Sequence, residues 1–338
     1  MGRGAPGRGT NLALLVLLVA GLATGGLAFG IGRGWVRVVL VVHAAAGAGI
    51  VLLAPWKRVI ARRGLARPRP GRGTSVALAA LVVVVVLTGV LHSSGLLVRA
   101  GSVSVMQVHV GAALAAIPLA VQHVLARPVR PRRTDVSRRA LLRAAALAGG
   151  AGALSAATEG LVRALDLPGA GRRFTGSHER GSFRPAGMPV TQWLDDPVPA
   201  IDPDAWRLAV SDRGGERRLT VAELAAFGDR VRAVLDCTGG WFAVQDWEGV
   251  LVSRLLDPGD AGSLVVRSAT GYARRFPVAD AGRLLLATDV GGAPLSAGHG
   301  GPARLVAPGR RGFWWVKWVT EIRADAAPWW WQPPFPLT

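Results

Sequence analysis

Cysteine is almost missing from the 338-residue sequence. Cys237 stands alone, so no intrachain disulfide can form, and multi-cysteine zinc or iron–sulfur centres are excluded. Tyrosine is equally scarce, with Tyr272 its one occurrence. Acidic residues are scarce in one half only. The first is Asp135, and residues 1–171 hold three acids (Asp135, Glu159 and Asp166) against 20 of the 40 lysines and arginines. Residues 172–338 have the mixed charge of a soluble domain. The net charge of +19 accompanies a chain that is 50% hydrophobic. A soluble nucleic-acid-binding protein would be basic without being this apolar, and a disordered basic tail would be neither apolar nor rich in tryptophan. Nucleic acid is therefore not expected as a partner.

The sequence does contain long apolar runs. Asn11–Phe29, Trp35–Ala54, Ser75–Leu97 and Val103–Leu125 each approach the roughly 20 helical residues needed to cross a lipid bilayer. A fifth, weaker run, Ala140–Ala157, is rich in alanine and glycine. Short connections between the first four predict antiparallel neighbours in one bundle. Seven basic residues (Lys57, Arg58, Arg62, Arg63, Arg67, Arg69, Arg72) separate runs two and three. Six more (Arg127, Arg130, Arg132, Arg133, Arg138, Arg139) separate runs four and five, and Arg143 lies near the start of run five. The alternate loops hold only Arg33, Arg37 and Arg99. The positive-inside rule then predicts a multi-pass cell-membrane protein with a cytoplasmic N-terminus and an extracytoplasmic C-terminal domain. Ser137-Arg138-Arg139-Ala140-Leu141-Leu142, ahead of a small-residue run, resembles an internal twin-arginine export signal. Cleavage after it is not expected, because it would part the two halves.

Runs one and two repeat in runs three and four. Thr24-Gly25 precedes His43, and Thr88-Gly89 precedes His109. Both histidines are followed by small residues, Ala44-Ala45-Ala46-Gly47 and Gly111-Ala112-Ala113, which let a neighbouring helix or a flat macrocycle approach. Counting at 1.5 Å per residue, His43, His109 and His92 lie about 12, 9 and 8 Å from the outer ends of their helices. The arrangement is similar to small four-helix b-type cytochromes. That resemblance implies haem b with His43 and His109 as axial ligands. His92 replaces Ala28 of the first repeat; it bonds a haem propionate or a quinone, or is a ligand in place of His43. His123 lies near the inner end with Lys57 as its counterpart, so no second haem is expected there.

After Arg172 the pattern becomes short β-rich stretches (Trp206–Val210, Val231–Leu235, Ser263–Val266, Leu284–Ala287) between glycine, proline and aspartate turns, with a short helix at Val221–Phe227. The expected fold class is α+β behind a transmembrane helical bundle of four helices plus a fifth signal or anchor helix. The expected domains are 1–130 (bundle), 131–171 (twin-arginine-like motif, fifth helix and linker) and 172–338 (outer domain).

Cys237 lies in Leu235-Asp236-Cys237-Thr238-Gly239-Gly240-Trp241, at a strand end where glycines admit a ligand close to the backbone. Residues 298–309 read Gly-His-Gly-Gly-Pro-Ala-Arg-Leu-Val-Ala-Pro-Gly, and Val316-Lys317-Trp318 follows. Here the sequence resembles the sulfite oxidase family of molybdopterin enzymes over roughly Phe174–Ala324, including the lead-in Pro189-Val190-Thr191-Gln192-Trp193-Leu194 and Thr270-Gly271-Tyr272. The resemblance implies a molybdenum–molybdopterin cofactor, with Cys237 as the catalytic thiolate on molybdenum and His299, Arg304 and Lys317 on the pterin phosphate. The chain departs from sulfite oxidases in having no arginine after the cysteine, which argues against sulfite. The loop is closer to bacterial relatives such as a methionine sulfoxide reductase catalytic subunit. Arg274 and Arg275 line a substrate mouth or belong to a solvated face. The expected function is a membrane-bound molybdenum oxidoreductase acting by oxygen-atom transfer on a small-molecule or oxidised-protein substrate and exchanging electrons with membrane quinone. The alternative is a membrane-anchored, non-catalytic pterin- or ligand-binding protein.

Overall fold

A computed structural model describes residues 7–66, 71–128, 132–193 and 196–335. Arg67, Arg69, Arg130 and Leu194 lie outside the described residues. The chain forms two compact units, Met1–Phe29 with Gly34–His178, and Gly30–Arg33 with Glu179–Thr338.

The first unit is built on five helices: α1 (Arg8–Gly30), α2 (Val36–Leu65), α3 (Arg72–Ser94), α4 (Val105–Ala126) and α5 (Arg138–Ala164). All five are long and apolar enough to cross a membrane. Their ends follow from local chemistry. α3 stops at Ser94 because Gly95 turns left-handed (φ 73°). A two-strand hairpin, Arg99–Ala100 with Val103–Ser104, fills the gap before α4. Ser104 then caps α4, its hydroxyl accepting from the Gln107 N–H at 3.1 Å while the Gln107 side chain accepts from the Ser104 N–H at 2.7 Å. Runs three and four therefore end and begin a few residues inside their apolar limits. α2 instead overshoots its run. It continues through Pro55 and carries Lys57, Arg58, Arg62 and Arg63 on its last turns, because a bilayer-embedded helix tolerates an internal proline.

Bulky side chains face outward in this unit. Val16, Val83, Leu87 and Leu114 are all more than half exposed, while Ala28, Ala46, Ala112, Ala116 and Ala151 are buried. That inversion fits helices surrounded by lipid and joined through small residues. α3 packs on α4 and α2 on α5. Ala151 of α5 lies beside Gly49 of α2, where an added Cβ would sit 3.6 Å from the Ala151 methyl and 3.0 Å from Leu17.

The second unit is α+β. Its strands are β1 (Leu208–Asp212), β2 (Gly215–Leu219), β3 (Asp229–Cys237), β4 (Trp241–Leu251), β5 (Ser263–Ser268), β6 (Ala273–Phe276), β7 (Leu285–Val290), β8 (Ala293–Pro294), β9 (Arg304–Val306) and β10 (Val319–Asp325), with a short helix α6 (Val221–Ala225). β4 is the spine of a six-stranded sheet. It pairs antiparallel with β3 and β7, β7 carries β8 and β9, and the sixth strand, beside β4, is the two-residue His178–Glu179. A five-stranded sheet runs β2-β1-β10-β5-β6, with β10 parallel to β1 and antiparallel to β5. Inward positions alternate along β4, and Trp247 at its centre is fully buried with Leu285, Leu286 and Leu305. Each such side chain contributes about 1.5–3 kcal/mol by leaving water. The resulting core holds the ends of β3 and β9 in place, and the candidate site is built on those ends.

Candidate cofactor sites

Cys237 ends β3, in register with Trp241 of β4. The intervening Thr238-Gly239-Gly240 makes a three-residue hairpin loop. Gly240 takes the left-handed conformation (φ 89°), and its N–H donates to the Cys237 carbonyl at 3.2 Å. The Gly239 N–H points at the Cys237 sulfur at 3.3 Å. Burial pushes this half-buried thiol above its ordinary range, while the Gly239 N–H, Arg311 and Lys317 pull the other way.

Arg311 sets the loop's position. It is 4% exposed, forms an ion pair with Asp236 and donates to the Cys237 carbonyl at 3.2 Å. Gly312 lets this segment close on the loop, since a Cβ there would meet the Cys237 Cα at 3.1 Å. Sequence reading passed over both Asp236 and Arg311. The available signal was a carboxylate inside an otherwise apolar strand end, which a buried position tolerates only with a partner.

The segment around His299 and the one around Lys317 are laced together. The Trp318 N–H donates to the Gly300 carbonyl (3.1 Å), the Trp318 indole to Ala297 (2.7 Å), the Val319 N–H to Ala303 (2.9 Å) and the Leu305 N–H to Val316 (2.8 Å). Gly300 (φ 105°) must be glycine, because a Cβ would lie 3.0 Å from Lys317 and 3.2 Å from Arg304. These bonds bring Arg304 and Lys317 together from opposite sides of one glycine.

Arg304 is 3% exposed and lies between Trp247 and Trp315, its guanidinium carbon 5.6 and 5.7 Å from their rings. Nη1 donates to the His299 carbonyl at 2.9 Å, and Nε has no partner among the described residues. Burial pulls its pKa down to about 10. Lys317 donates to the carbonyls of Thr191 (3.0 Å) and Gly298 (2.6 Å) and to Gln192 Oε1 (3.0 Å). Burial, with Arg304 nearby, lowers its pKa to about 7. Gln192 Nε2 is a second buried donor without a partner among the described residues. Two unsatisfied donors beside a destabilised ammonium form a site short of negative charge, as a phosphate-bearing cofactor requires. The sequence had marked Gln192 only as part of a lead-in.

His299 is placed differently from the other two. Its Nε2–H donates to the Met188 carbonyl (3.2 Å), so Nδ1 accepts from the Ser296 hydroxyl (2.9 Å). Burial first, then Arg304, lowers its pKa, consistent with a neutral ring. Both nitrogens tie the loop to its surroundings. Arg274 is buried, not on a solvated face. It is 2% exposed and its guanidinium stacks on Trp314 at 4.0 Å, with Arg310 also on that ring at 4.5 Å. Arg275 is half-buried and committed to Asp325 at 2.7 Å.

The histidines of the first unit are repeat-related in space as well. His43 Nδ1–H reaches the Gly21 carbonyl at 3.0 Å with Thr24 Oγ1 at 3.1 Å. His109 Nδ1–H reaches the Val85 carbonyl at 2.9 Å with Thr88 Oγ1 at 3.2 Å. A Cβ on Gly25 would touch His43 Cε1 at 3.2 Å, and one on Gly89 would touch His109 Cε1 at 3.3 Å. The rings face each other at 6.0 Å between centroids with planes 72° apart. Because a carbonyl accepts only, Nδ1 carries the proton in both rings, which leaves each Nε2 as the lone-pair nitrogen suited to iron. The inner pair repeats too: Lys57 donates to Asn11 (2.9 Å), and His123 meets the Ser75 hydroxyl (3.0 Å). His92 is in ring contact with His178 at 4.8 Å.

Comparison with known proteins finds a likeness for the second unit. Residues 195–330 match the family model described as the oxidoreductase molybdopterin binding domain. The chain is also similar to the crystal structure of the sulfane dehydrogenase SoxCD from Paracoccus pantotrophus, at 22% identity and a TM-score of 0.35, covering 38% of this chain and 40% of that one. Among curated proteins the chain has no match. The chain thus joins a unit similar to the oxidoreductase molybdopterin binding domain to five helices long and apolar enough to span a membrane.

Proposed function

We propose that the protein is a membrane-bound molybdenum oxidoreductase. Its carrying observation is the group of Arg304 Nε and Gln192 Nε2, both buried and unsatisfied, beside Lys317. Arg304, Lys317 and Gln192 hold the pterin phosphate, and His299 fixes the loop that presents them. Cys237 supplies the thiolate to molybdenum. The raised pKa of its buried thiol means that metal binding, rather than the loop alone, keeps the sulfur deprotonated. When bound, the molybdenum cofactor supplies two-electron oxygen-atom transfer. Asp236 and Arg311 hold the Cys237 loop still during that exchange. No arginine follows Cys237 in its loop, so a neutral S-oxide or N-oxide, small or borne on a protein, fits better than sulfite.

The first unit, with His43 and His109 as axial ligands of haem b, gives the outer unit a route to membrane quinone. The outer unit lies outside the cytoplasm. Ser137, Arg138 and Arg139 at the start of α5 direct its export, and exposed Arg138 and Arg139 are free to be read.

Purified protein is expected to carry equimolar molybdenum and b-type haem, measured by metal analysis and optical spectra. Absence of molybdenum would sink the enzyme reading. Replacing both Arg138 and Arg139 by lysine is expected to block export of the outer unit. Normal export would reduce them to topology-setting charges.

A further inference from the structure

The two helical repeats differ at one buried position. Thr88, which bonds His109, is followed one turn later on the same face of α3 by His92. The corresponding position after Thr24 is Ala28, which is 8% exposed. The second repeat therefore adds an imidazole where the first has a methyl group, about 6 Å along the helix from the threonine that orients an axial ligand.

His92 is 4% exposed. Its Nε2 lies 3.0 Å from the Gly176 carbonyl. A carbonyl accepts only, so Nε2 carries the proton. Nδ1 is buried and has no partner among the described residues. His178 holds this geometry: its Nε2–H donates to the His92 carbonyl at 2.8 Å, and its ring meets the His92 ring edge to face at 89°. Arg172 reaches the same end of α3. Nη2 pairs with Glu159 at 2.7 Å, while Nη1 is buried without a partner among the described residues. It lies against Gly169 and the backbone of Ser93 and Ser94, since a Cβ on Gly169 would sit 2.6 Å from Nη1 and 2.1 Å from the Ser93 carbonyl.

A buried ring nitrogen and a buried guanidinium nitrogen are thus left unmet around one helix end. We propose that His92 and Arg172 form a carboxylate-binding site and that its ligand is a propionate of the haem bound by His43 and His109. This rests on the haem reading above. A carboxyl group satisfies both nitrogens. It accepts from the Arg172 N–H, and it bonds Nδ1 either as a carboxylic acid donating to the lone pair or as a carboxylate accepting from the protonated ring. A quinone oxygen could accept from Nη1 but offers nothing to a neutral Nδ1. His178 is a positioning residue in this arrangement.

The test uses the full chain loaded with haem carrying 13C at the propionate carboxyls and reads the reduced-minus-oxidised infrared difference spectrum. In the natural protein the labelled carboxyl bands are expected to respond to reduction. His92→Phe and Arg172→Gln are each expected to move them. Arg172→Gln is also expected to lower the haem potential, because a cation beside the propionate favours the reduced form. Arg172→Lys should restore part of that shift, and Glu159→Gln, which leaves Nη1 in place, should leave the labelled bands where they are. Labelled bands that stay put in both His92→Phe and Arg172→Gln, with haem retained, would overturn the propionate site and leave axial ligation intact. Protein that binds no haem would overturn both.

Discussion

In the helical unit several side-chain contacts are one motif used twice. Thr24 and His43 are 19 positions apart and Thr88 and His109 are 21; Asn11 and Lys57 are 46 apart and Ser75 and His123 are 48. In the second unit the contacts that build the candidate site join remote segments. Arg311 reaches Asp236 across 75 positions, and Lys317 reaches Gln192 across 125. The physical reason is the solvent. Helices in lipid must satisfy their backbone internally, so their few side-chain bonds are spare and can be duplicated with the helix pair. The sheets of the second unit bring distant strand ends together, and charge buried there needs a partner from wherever the fold supplies one.

The largest effects should fall on the cofactor ligands and should separate the units. Cys237→Ser is expected to abolish turnover while the haem spectrum stays normal. The double variant His43→Ala, His109→Ala is expected to lose the haem spectrum while molybdenum content stays normal. A haem spectrum that survives the double variant would move the ligand assignment elsewhere. If either variant emptied both sites, the contrast between two independently built centres would fail.

A smaller effect tests the long-range half of the contrast. Arg311→Ala removes the buried ion-pair partner of Asp236 and a donor from the Cys237 carbonyl. Breaking a buried ion pair this way costs about 3–5 kcal/mol. In the bundle, Thr88→Val removes one hydroxyl contact to His109 and should cost about 1 kcal/mol. Urea unfolding of the two variants in detergent gives the comparison. Equal losses would mean that the Asp236–Arg311 pair matters no more than a helix-to-helix hydroxyl.

The same contrast explains what could be read from the sequence. The five helices followed from apolar runs and the cation-rich gaps between them, and the histidine pairs followed from the repeat, because both signals are local. The Cys237 turn and the short helix at Val221–Ala225 were legible for the same reason. β4, the longest strand, was missed. Gln245, Asp246, Glu248 and Gly249 interrupt its apolar pattern, yet Gln245 is fully buried through its bond to the Gly181 carbonyl at 2.6 Å. Arg274 could not be assigned because its burial depends on Trp314, which arrives from another segment. Arg311 is adjacent in sequence to the phosphate-type motif, but its partner Asp236 is not.

The smallest effect concerns the sign of a pH dependence. Lys317 has an ordinary pKa of 10.5 and is held at about 7 by burial and by Arg304. Between those values the unfolded chain holds more protons at this position than the folded chain, so stability rises with pH. Below about 7 both states are protonated and the cost of the buried ammonium is constant. Cys237 acts in the opposite direction, but only above its ordinary 9.0, so the clean window runs from pH 7 to about 9. Cofactor-free protein is therefore expected to resist urea better at pH 8.5 than at pH 7, and Lys317→Met should flatten that slope. A bound phosphate group would favour the charged lysine, raise its folded pKa toward 10.5 and flatten the trend. A slope that is identical with and without the pterin cofactor would show that Lys317 does not face its phosphate, and would leave Arg304 and Gln192 to hold it.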